Sequence, residues 1–242
     1  MPENWALFGQ GRPRYGSAMG AFRRLAGRSR NRVFDSVMLQ RRQRQFLEDV
    51  RTASKPVKVH VGAGRHRLAG WIDTDIQWRC AAHLDITEPW PVPPGSIDYV
   101  YGDNVIEHLT LEQGRRAFQH TFDALAPGGV LRLSTPDVEA SARSYLENGD
   151  LARAGIERNR ELGKDFSHPV QLLAQVYVGA AHYLGFCYDY AALAAEMSAV
   201  GFEVSRCETG QSAYPELRDL ELRTHAAEAA TQLCVEGVKP RR

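Results

Sequence analysis

Short apolar runs separated by helical patterns fill the chain from residue 57 onward. Val57, Val59 and Val61 alternate with polar residues and lead into Gly62-Ala63-Gly64, which is typical of a β-strand that ends in a tight turn. Further strand candidates are Trp71 to Asp75, Ala82 to Asp85, Ile97 to Tyr101, Val130 to Thr135, Phe202 to Cys207 and Leu233 to Val238. Strands that alternate with helical patterns predict an α/β fold whose mainly parallel sheet is covered on both faces.

Two of the predicted helices have recognisable ends. Thr110 is a predicted N-cap with Gln113 three residues later, so the two can form a capping box. Pro127-Gly128-Gly129 follows the apolar stripe of this helix. Asp189 caps a second helix, which Gly201 ends.

The first 56 residues are predicted to be an extension of the main domain, residues 57–242. Residues 1–16 are rich in Gly, Pro and Arg and favour a loose terminus. From Ser17 to Ala53 the pattern is helical, with an apolar face that includes Phe46 and Val50. This helix can dock on the domain or cover its active site, and the alternative is a basic, solvated helix.

Composition places the chain among ordinary globular proteins, since 43% of its residues are hydrophobic and 24% are charged. No apolar run approaches the roughly 20 residues that span a bilayer, and Met1 to Gln10 lacks the features of a secretory signal, so we expect a cytoplasmic protein. Four cysteines stand singly, without the close pairs of a zinc site. Residues 1–56 carry 12 Lys/Arg against 4 Asp/Glu, whereas the remainder carries 18 against 25. The extension is therefore basic and the body acidic.

The glycine turn after the first strand predicts a cofactor site. Gly62 and Gly64 permit a ligand to approach the main chain, and Asp75 ends the next strand, where a carboxylate can accept hydrogen bonds from ribose hydroxyls. Asp73 is the alternative on the same face. Only residues 62–70 separate the two strands, which is too short for the full helix that a dinucleotide's pyrophosphate needs. S-adenosylmethionine is therefore favoured over NAD.

Five segments together resemble class I S-adenosylmethionine-dependent methyltransferases, in particular the bacterial type 11 branch. They are Val59-His60-Val61-Gly62-Ala63-Gly64, Gly70-Trp71-Ile72-Asp73-Thr74-Asp75, Asp98-Tyr99-Val100-Tyr101, Val105-Ile106-Glu107-His108-Leu109 and Leu125-Ala126-Pro127-Gly128-Gly129. The resemblance is strong over residues 57–137 and weak over 186–239. It implies a Rossmann-like three-layer sandwich with a mostly parallel seven-stranded sheet.

The same resemblance implies how the cofactor lies. Gly62 and Gly64 approach its methionine part, Asp75 holds the ribose, and Asp85 with Ile86 contacts the adenine, while Asp103 and Asn104 lie near the methionine and the substrate. His60 stands where many members have an acidic residue. The expected cofactor-binding residues are His60, Gly62, Ala63, Gly64, Asp75, Ile76, Asp85, Ile86, Asp103 and Asn104.

Candidates for chemistry follow the fourth and fifth predicted strands. His108 is a candidate general base, and its alternative is a helix-start histidine bonded to the backbone or to a carboxylate. Asp137 can position the substrate, or it can join Asp103 in a metal site; we favour the first role and predict no metal. His168, His182 and Tyr183 are candidate substrate-binding residues, each with a structural role as the alternative.

The leading functional hypothesis is methyl transfer to an oxygen or nitrogen of a small molecule or sugar-containing metabolite, by a protein that can form a homodimer. The alternatives are an RNA-directed methyltransferase that uses the basic extension, and a methyltransferase-like interaction protein without turnover. Gly102-Asp103-Asn104-Val105 lacks the Pro-Pro-aromatic run of base-amino methyltransferases, and no Pro-Cys pair supplies a nucleophile for C5 of pyrimidines. These two kinds of nucleobase methylation are disfavoured.

Overall fold

The structure, a computed structural model, describes residues 37–77 and 80–241. Its contacts divide the chain into two units, Met1–Arg41 and Arg42–Arg242. The predicted loose terminus and the first part of the predicted N-terminal helix, including residues 17–36, lie outside the described residues. Helix α1 covers residues 37–52, and its residues from Arg42 onward belong to the second unit.

The second half of α1 packs into the core of that unit. Phe46 is fully buried and Val50 nearly so, because they lie one turn apart on the same face of the helix. The Phe46 ring meets Trp90 edge to face, with 6.2 Å between ring centroids. Arg42 is also buried, and its Nε donates a hydrogen bond to the Cys80 carbonyl at 3.1 Å. Residues 42–52 are therefore a docked helix.

A six-stranded sheet in the order β2-β1-β3-β4-β6-β5 forms the centre of the second unit. Its strands are β1 (Lys58–Val61), β2 (Ile72–Asp73), β3 (Ile97–Asp103), β4 (Leu125–Pro136), β5 (Glu203–Cys207) and β6 (Gln232–Val238). β1 to β4 pair in parallel, whereas β6 is antiparallel to both of its neighbours. The mixed α/β class and the largely parallel pairing agree with the sequence prediction.

We expected seven strands, and the one predicted at Ala82 to Asp85 is not formed. The described residues there make a single parallel bridge, between Thr74 and Ala82. The chain turns directly after this segment, which keeps it short. Oδ1 of Asp85 accepts hydrogen bonds from both the N–H and the hydroxyl of Thr87, at 3.0 and 2.8 Å, and these bonds form the turn.

Helices α2 (Leu111–Ala124), α3 (Val138–Glu147), α4 (Asp150–Glu161), α5 (Pro169–Val178), α6 (Tyr190–Val200) and α7 (Ala226–Ala229) follow, with short 3-10 turns at Ile106–His108, Gly179–Leu184 and Pro215–Leu217. The predicted capping box of Thr110 and Gln113 is confirmed at the start of α2. Asp189 caps α6 as predicted, and Gly201 ends it in the left-handed conformation at φ 115°. β4 begins earlier than expected, at Leu125, so the Pro127-Gly128-Gly129 segment lies within the strand.

The two faces of the sheet differ in what covers them. The face of Val59, Val100 and Leu131 shares one apolar cluster with residues of α2 and α6. Tyr99 and Arg132 on the other face contact the segment 208–221, whose described secondary structure is one 3-10 turn. We expected a helix layer there; instead this irregular segment supplies the buried Arg132 with the Gln211 carbonyl and the Glu221 carboxylate. None of the helices in the described part of the chain combines the length and apolarity needed to cross a membrane.

Candidate active site

The turn after β1 has the backbone that the sequence predicts. Gly62 and Gly64 adopt positive φ angles of 62° and 56°, a region that favours glycine. A Cβ atom added to Gly62 would lie 2.3 Å from Cγ2 of Val105, so this position has no room for a side chain. The buried Ala63 between them donates its N–H to the Thr74 carbonyl at 3.0 Å. The turn is thereby fixed against the end of β2.

Asp75 joins this turn to the segment that follows β2. Its Oδ2 accepts the N–H of Gly64 at 2.8 Å, and its Oδ1 accepts the N–H of Gln77 at 2.7 Å. A carboxylate oxygen has two lone pairs, so both oxygens keep acceptor capacity for a ligand. The glycine turn and Asp75, predicted separately from the sequence, therefore lie in direct contact.

His60 is 2% exposed and links the first two strands. Its Nδ1 lies 2.9 Å from Oδ1 of Asp73, and its ring lies 5.3 Å from that of Tyr101. Burial lowers the pKa of His60, and the contact with Asp73 opposes this shift. Asp73, the alternative to Asp75 as the ribose acceptor, is thus engaged with His60.

The expected adenine end of the site is formed by three residues of different exposure. Ile76 is 61% exposed, whereas Asp85 is half-buried and Ile86 packs against the apolar core. A backbone that exposes a large apolar side chain next to a fixed turn offers a surface on which a flat ring can lie. Neighbouring Trp78 and Arg79 are outside the described residues.

Asp103 and Asn104 lie at the carboxyl end of β3. Oδ1 of Asp103 is 3.2 Å from Nη1 of Arg223, and burial raises the pKa of Asp103 while this arginine lowers it. Asn104 has a φ of 52°, and its N–H donates to the Ser134 carbonyl at 2.8 Å. Its buried Oδ1 has no hydrogen-bond partner among the described residues. Both residues line a large cavity.

This cavity measures about 690 Å³ and lies between the strand ends and helices α3, α4 and α5. Its charged lining side chains are Asp103, Arg158, Lys164, Arg223 and Glu228, with His108 and His182 on its wall. Arg158 is paired with Glu228 at 3.0 Å, as Arg223 is with Asp103, and Nζ of Lys164 donates to Oδ1 of Asn159 at 2.9 Å. The cavity therefore combines apolar with polar lining, and most of its charges are balanced locally.

Glu107, His108 and His182 converge beside the cavity. Glu107 is fully buried; its Oε2 accepts the hydroxyl of Thr135 at 3.0 Å, and its Oε1 lies 3.9 Å from Nε2 of His182. Burial raises the pKa of Glu107 to about 7. The His108 and His182 rings stand edge to face at 4.8 Å, and burial together with His182 lowers the pKa of His108. The lowered pKa keeps His108 neutral near pH 7, which is the form that can act as a base.

The other predicted residues have different surroundings. Asp137 is 1% exposed, caps α3 by accepting the Ala140 N–H and pairs with Arg206 at 2.7 Å, and it is not among the residues that line the cavity. His168 is exposed, at the start of α5, and is also outside the cavity lining. The side chain of Tyr183 lies outside the described part. His182 is thus the predicted substrate residue that the structure places on the cavity wall.

Sequence reasoning missed Glu107, Arg158, Lys164 and Arg223. A signal existed for Glu107, since an acidic residue within the apolar run from Val105 to Leu109 predicts a buried carboxylate. No comparable signal marks the three basic residues, because they come from separate segments that meet only in the folded chain.

Comparison with models of protein families finds no match, and comparison with curated proteins finds none either. Among solved structures, the chain is similar to the CurJ carbon methyltransferase, with 14% identity over 85% of this chain and 55% of that one and a TM-score of 0.44. It is also similar to a SAM-dependent methyltransferase of Thermotoga maritima, a possible histamine N-methyltransferase (16%, 88% and 95%, TM-score 0.46). A third is phosphoethanolamine N-methyltransferase 2 of Haemonchus contortus, in complex with S-adenosyl-L-methionine (13%, 82% and 52%, TM-score 0.44). The chain spans about half the length of the first and third of these.

Proposed function

We propose that the protein transfers the methyl group of S-adenosylmethionine to an oxygen or nitrogen atom of a small molecule or sugar-containing metabolite. The observation that carries the proposal is the contact of the glycine turn with Asp75 at the carboxyl ends of β1 and β2. In open α/β sheets, ligands bind beyond these ends. The type 11 resemblance and the short crossover point to the same cofactor.

In this proposal the cofactor extends from Ile76 and Asp85, beside its adenine, to the glycine turn, which receives its methionine part. Asp75 accepts the ribose hydroxyls through the lone pairs that Gly64 and Gln77 leave available. Asp103 and Asn104 are the next polar residues along the strand ends. Because they also line the cavity, they connect the proposed cofactor site with the acceptor site.

The acceptor would occupy the 690 Å³ cavity, whose volume falls within the range of about 300–1,000 Å³ common for small-molecule sites. Its amides, hydroxyls and paired charges suit a polar molecule that carries several hydrogen-bonding groups. Methyl transfer needs chiefly alignment with the sulfonium carbon, and a base only where the nucleophile must lose a proton. His108, neutral and on the cavity wall, is the proposed base.

Titration calorimetry with S-adenosylmethionine tests the foundation of the proposal. We expect one site per chain in the wild type and at least tenfold weaker binding in Asp75→Ala, whereas Glu112→Gln, an exposed carboxylate on α2, should bind like the wild type. Transfer of a labelled methyl group into a cell extract then detects turnover without a chosen acceptor. Folded protein that does not bind S-adenosylmethionine would contradict the proposal.

A further inference from the structure

Three side chains with metal-binding atoms meet at one point on the wall of the cavity. One ligand atom from each of Glu107, His108 and His182 lies within 4.8 Å of the others. Glu107 and His108 come from the 3-10 turn Ile106–His108, and His182 comes from the turn Gly179–Leu184, far along the chain. The fold therefore brings two distant segments together at this point.

His182 is held so that one particular nitrogen faces this cluster. Its Nδ1 lies 2.8 Å from the Val176 carbonyl oxygen, which can only accept, so Nδ1 carries the hydrogen. In the neutral ring Nε2 then has a free lone pair, and this is the atom that faces Glu107 at 3.9 Å. A histidine that donates its other N–H to a backbone carbonyl is the usual arrangement of a metal ligand.

Glu107 contributes an unsatisfied oxygen to the same point. The side chain is fully buried, and Thr135 satisfies Oε2 and fixes the carboxyl plane. Oε1, in contrast, has no hydrogen-bond partner in the described part of the chain. A buried acceptor without a partner costs free energy comparable to a lost hydrogen bond, so Oε1 is poised for a group that the chain itself does not provide.

We propose that Glu107, His108 and His182 bind one divalent transition-metal cation, such as Zn²⁺ or Mn²⁺. Two imidazoles and one carboxylate form a ligand set that such ions prefer, and three protein ligands leave coordination positions open. Ligands about 2.1 Å from an ion stand about 3.4 Å apart. The 3.9 Å between Glu107 and His182 needs only a small adjustment, and exposed His108 can turn its ring to complete the set.

The position of this site suggests what the ion would do, and this part rests on the proposed methyl transfer. His108 and His182 both line the cavity, so the open positions face the acceptor. With the ion bound, His108 would serve as a ligand instead of as the base, and an acceptor hydroxyl at an open position would lose its proton to water more readily. Its oxygen would then form a bond to the methyl carbon as the carbon–sulfur bond breaks, and the bonding pair would remain on sulfur as S-adenosylhomocysteine. The site therefore selects a hydroxyl-bearing acceptor.

Cobalt(II) is a suitable probe, because its visible absorption reports its ligands. Full-length protein freed of metal with a chelator would be titrated with Co²⁺, then with Zn²⁺ as competitor. We expect one Co²⁺ per chain, with d–d bands that Zn²⁺ abolishes. Glu107→Gln, which can still accept the Thr135 hydroxyl, and His182→Ala should each weaken Co²⁺ binding at least tenfold. His120→Ala, a histidine on α2 outside the cluster, is the matched control and should bind Co²⁺ like the wild type.

Several outcomes would overturn the proposal. They are an absence of Co²⁺ bands in folded wild type, bands unchanged in both cluster variants, and an equal methyl-transfer rate in metal-free and metal-loaded protein. The last result would leave the proposed function standing, with His108 as its base and no ion involved. Conversely, a chain that binds Co²⁺ but no S-adenosylmethionine would retain the metal site and lose the methyltransferase.

Discussion

Arg132 is a buried charge on the sheet with several partners among the described residues. The side chain has no exposed surface on β4, and its guanidinium pairs with Glu221 at 2.6 Å and Glu236 at 2.7 Å. It also donates to the Gln211 carbonyl at 2.9 Å. These contacts tie β6 and the segment 208–221 to one point of the sheet, so this residue fixes the layer that replaces a helix.

Arg132→Met should destabilise the fold strongly. Removal of one partner from a buried ion pair costs about 3–5 kcal/mol, because it leaves Glu221 and Glu236 buried without their cation. Equilibrium unfolding in urea measures the loss. Arg115→Met is the control, since Arg115 is 58% exposed and solvent screens its pair with Glu196, so this variant should lose far less stability. Equal losses in the two variants would contradict the stabilising role of Arg132.

Gly62→Ala should damage the proposed cofactor turn. Alanine at this position would have to adopt a positive φ, which costs an L-residue about 1–2 kcal/mol. Its methyl group would also collide with Val105. We expect at least tenfold weaker binding of S-adenosylmethionine by calorimetry, with partial recovery in the double variant Gly62→Ala/Val105→Ala. Gly149→Ala, where nothing lies within 4 Å of the added Cβ, should bind normally. Wild-type affinity in Gly62→Ala would place the cofactor elsewhere.

Among the elements, helix α1 shows how a basic segment can still be part of the core. Phe46→Ala should destabilise the protein by about 3–5 kcal/mol, because it removes a fully buried ring from its contact with Trp90. Arg51→Ala, on the exposed side of the same helix, should change stability by less than about 0.5 kcal/mol. Thermal or urea unfolding of both variants distinguishes the docked helix from a solvated one, for which the two losses would be alike.

Elements with local signals could be predicted from the sequence, and elements that depend on distant contacts could not. The Thr110–Gln113 capping box and the Asp189 cap involve neighbouring residues, and both form as expected. The segment from Ala82 to Asp85 has the composition of a strand, but Thr87 competes for Asp85 and leaves only one bridge. The segment 208–221 over Arg132 was not predicted, because its contacts with Arg132 join residues 76 to 89 positions apart in the chain.

In the candidate site too, one part could be predicted from the sequence and the other could not. Gly64 and its partner Asp75 are only 11 residues apart, and the strand–turn–strand pattern brings them together. The cavity is built instead from helices α3 to α5 and the segments around residues 182 and 223. Side chains such as Lys164 have no periodicity that distinguishes a cavity wall from solvent. The residues that line the proposed acceptor cavity therefore could not be predicted from the sequence.

Across the whole molecule, the proposed cofactor turn and the cavity meet at Asp103 and Asn104. In this arrangement, different parts of the fold would bind the two ligands. A rigid backbone turn suits a cofactor that is always the same, and a cavity walled by helices suits an acceptor that varies between proteins. Arg223 reaches Asp103 from the segment that follows the irregular cover over Arg132. The segment 208–221, which covers Arg132, is thus also continuous with one wall of the proposed acceptor cavity.

Binding of the cofactor should stabilise the whole second unit, because a ligand that binds only the folded state shifts the unfolding equilibrium. At a concentration 100 times its dissociation constant, S-adenosylmethionine should add about 2.7 kcal/mol, which raises the Tm of a chain of this size by about 5–11 °C. NAD should leave the Tm unchanged, since the crossover after β1 has no helix to receive a pyrophosphate. Differential scanning fluorimetry measures both shifts, and Asp75→Ala should lose most of the first one. A larger shift with NAD than with S-adenosylmethionine would reverse the choice of cofactor, because the same turn would then be binding a dinucleotide.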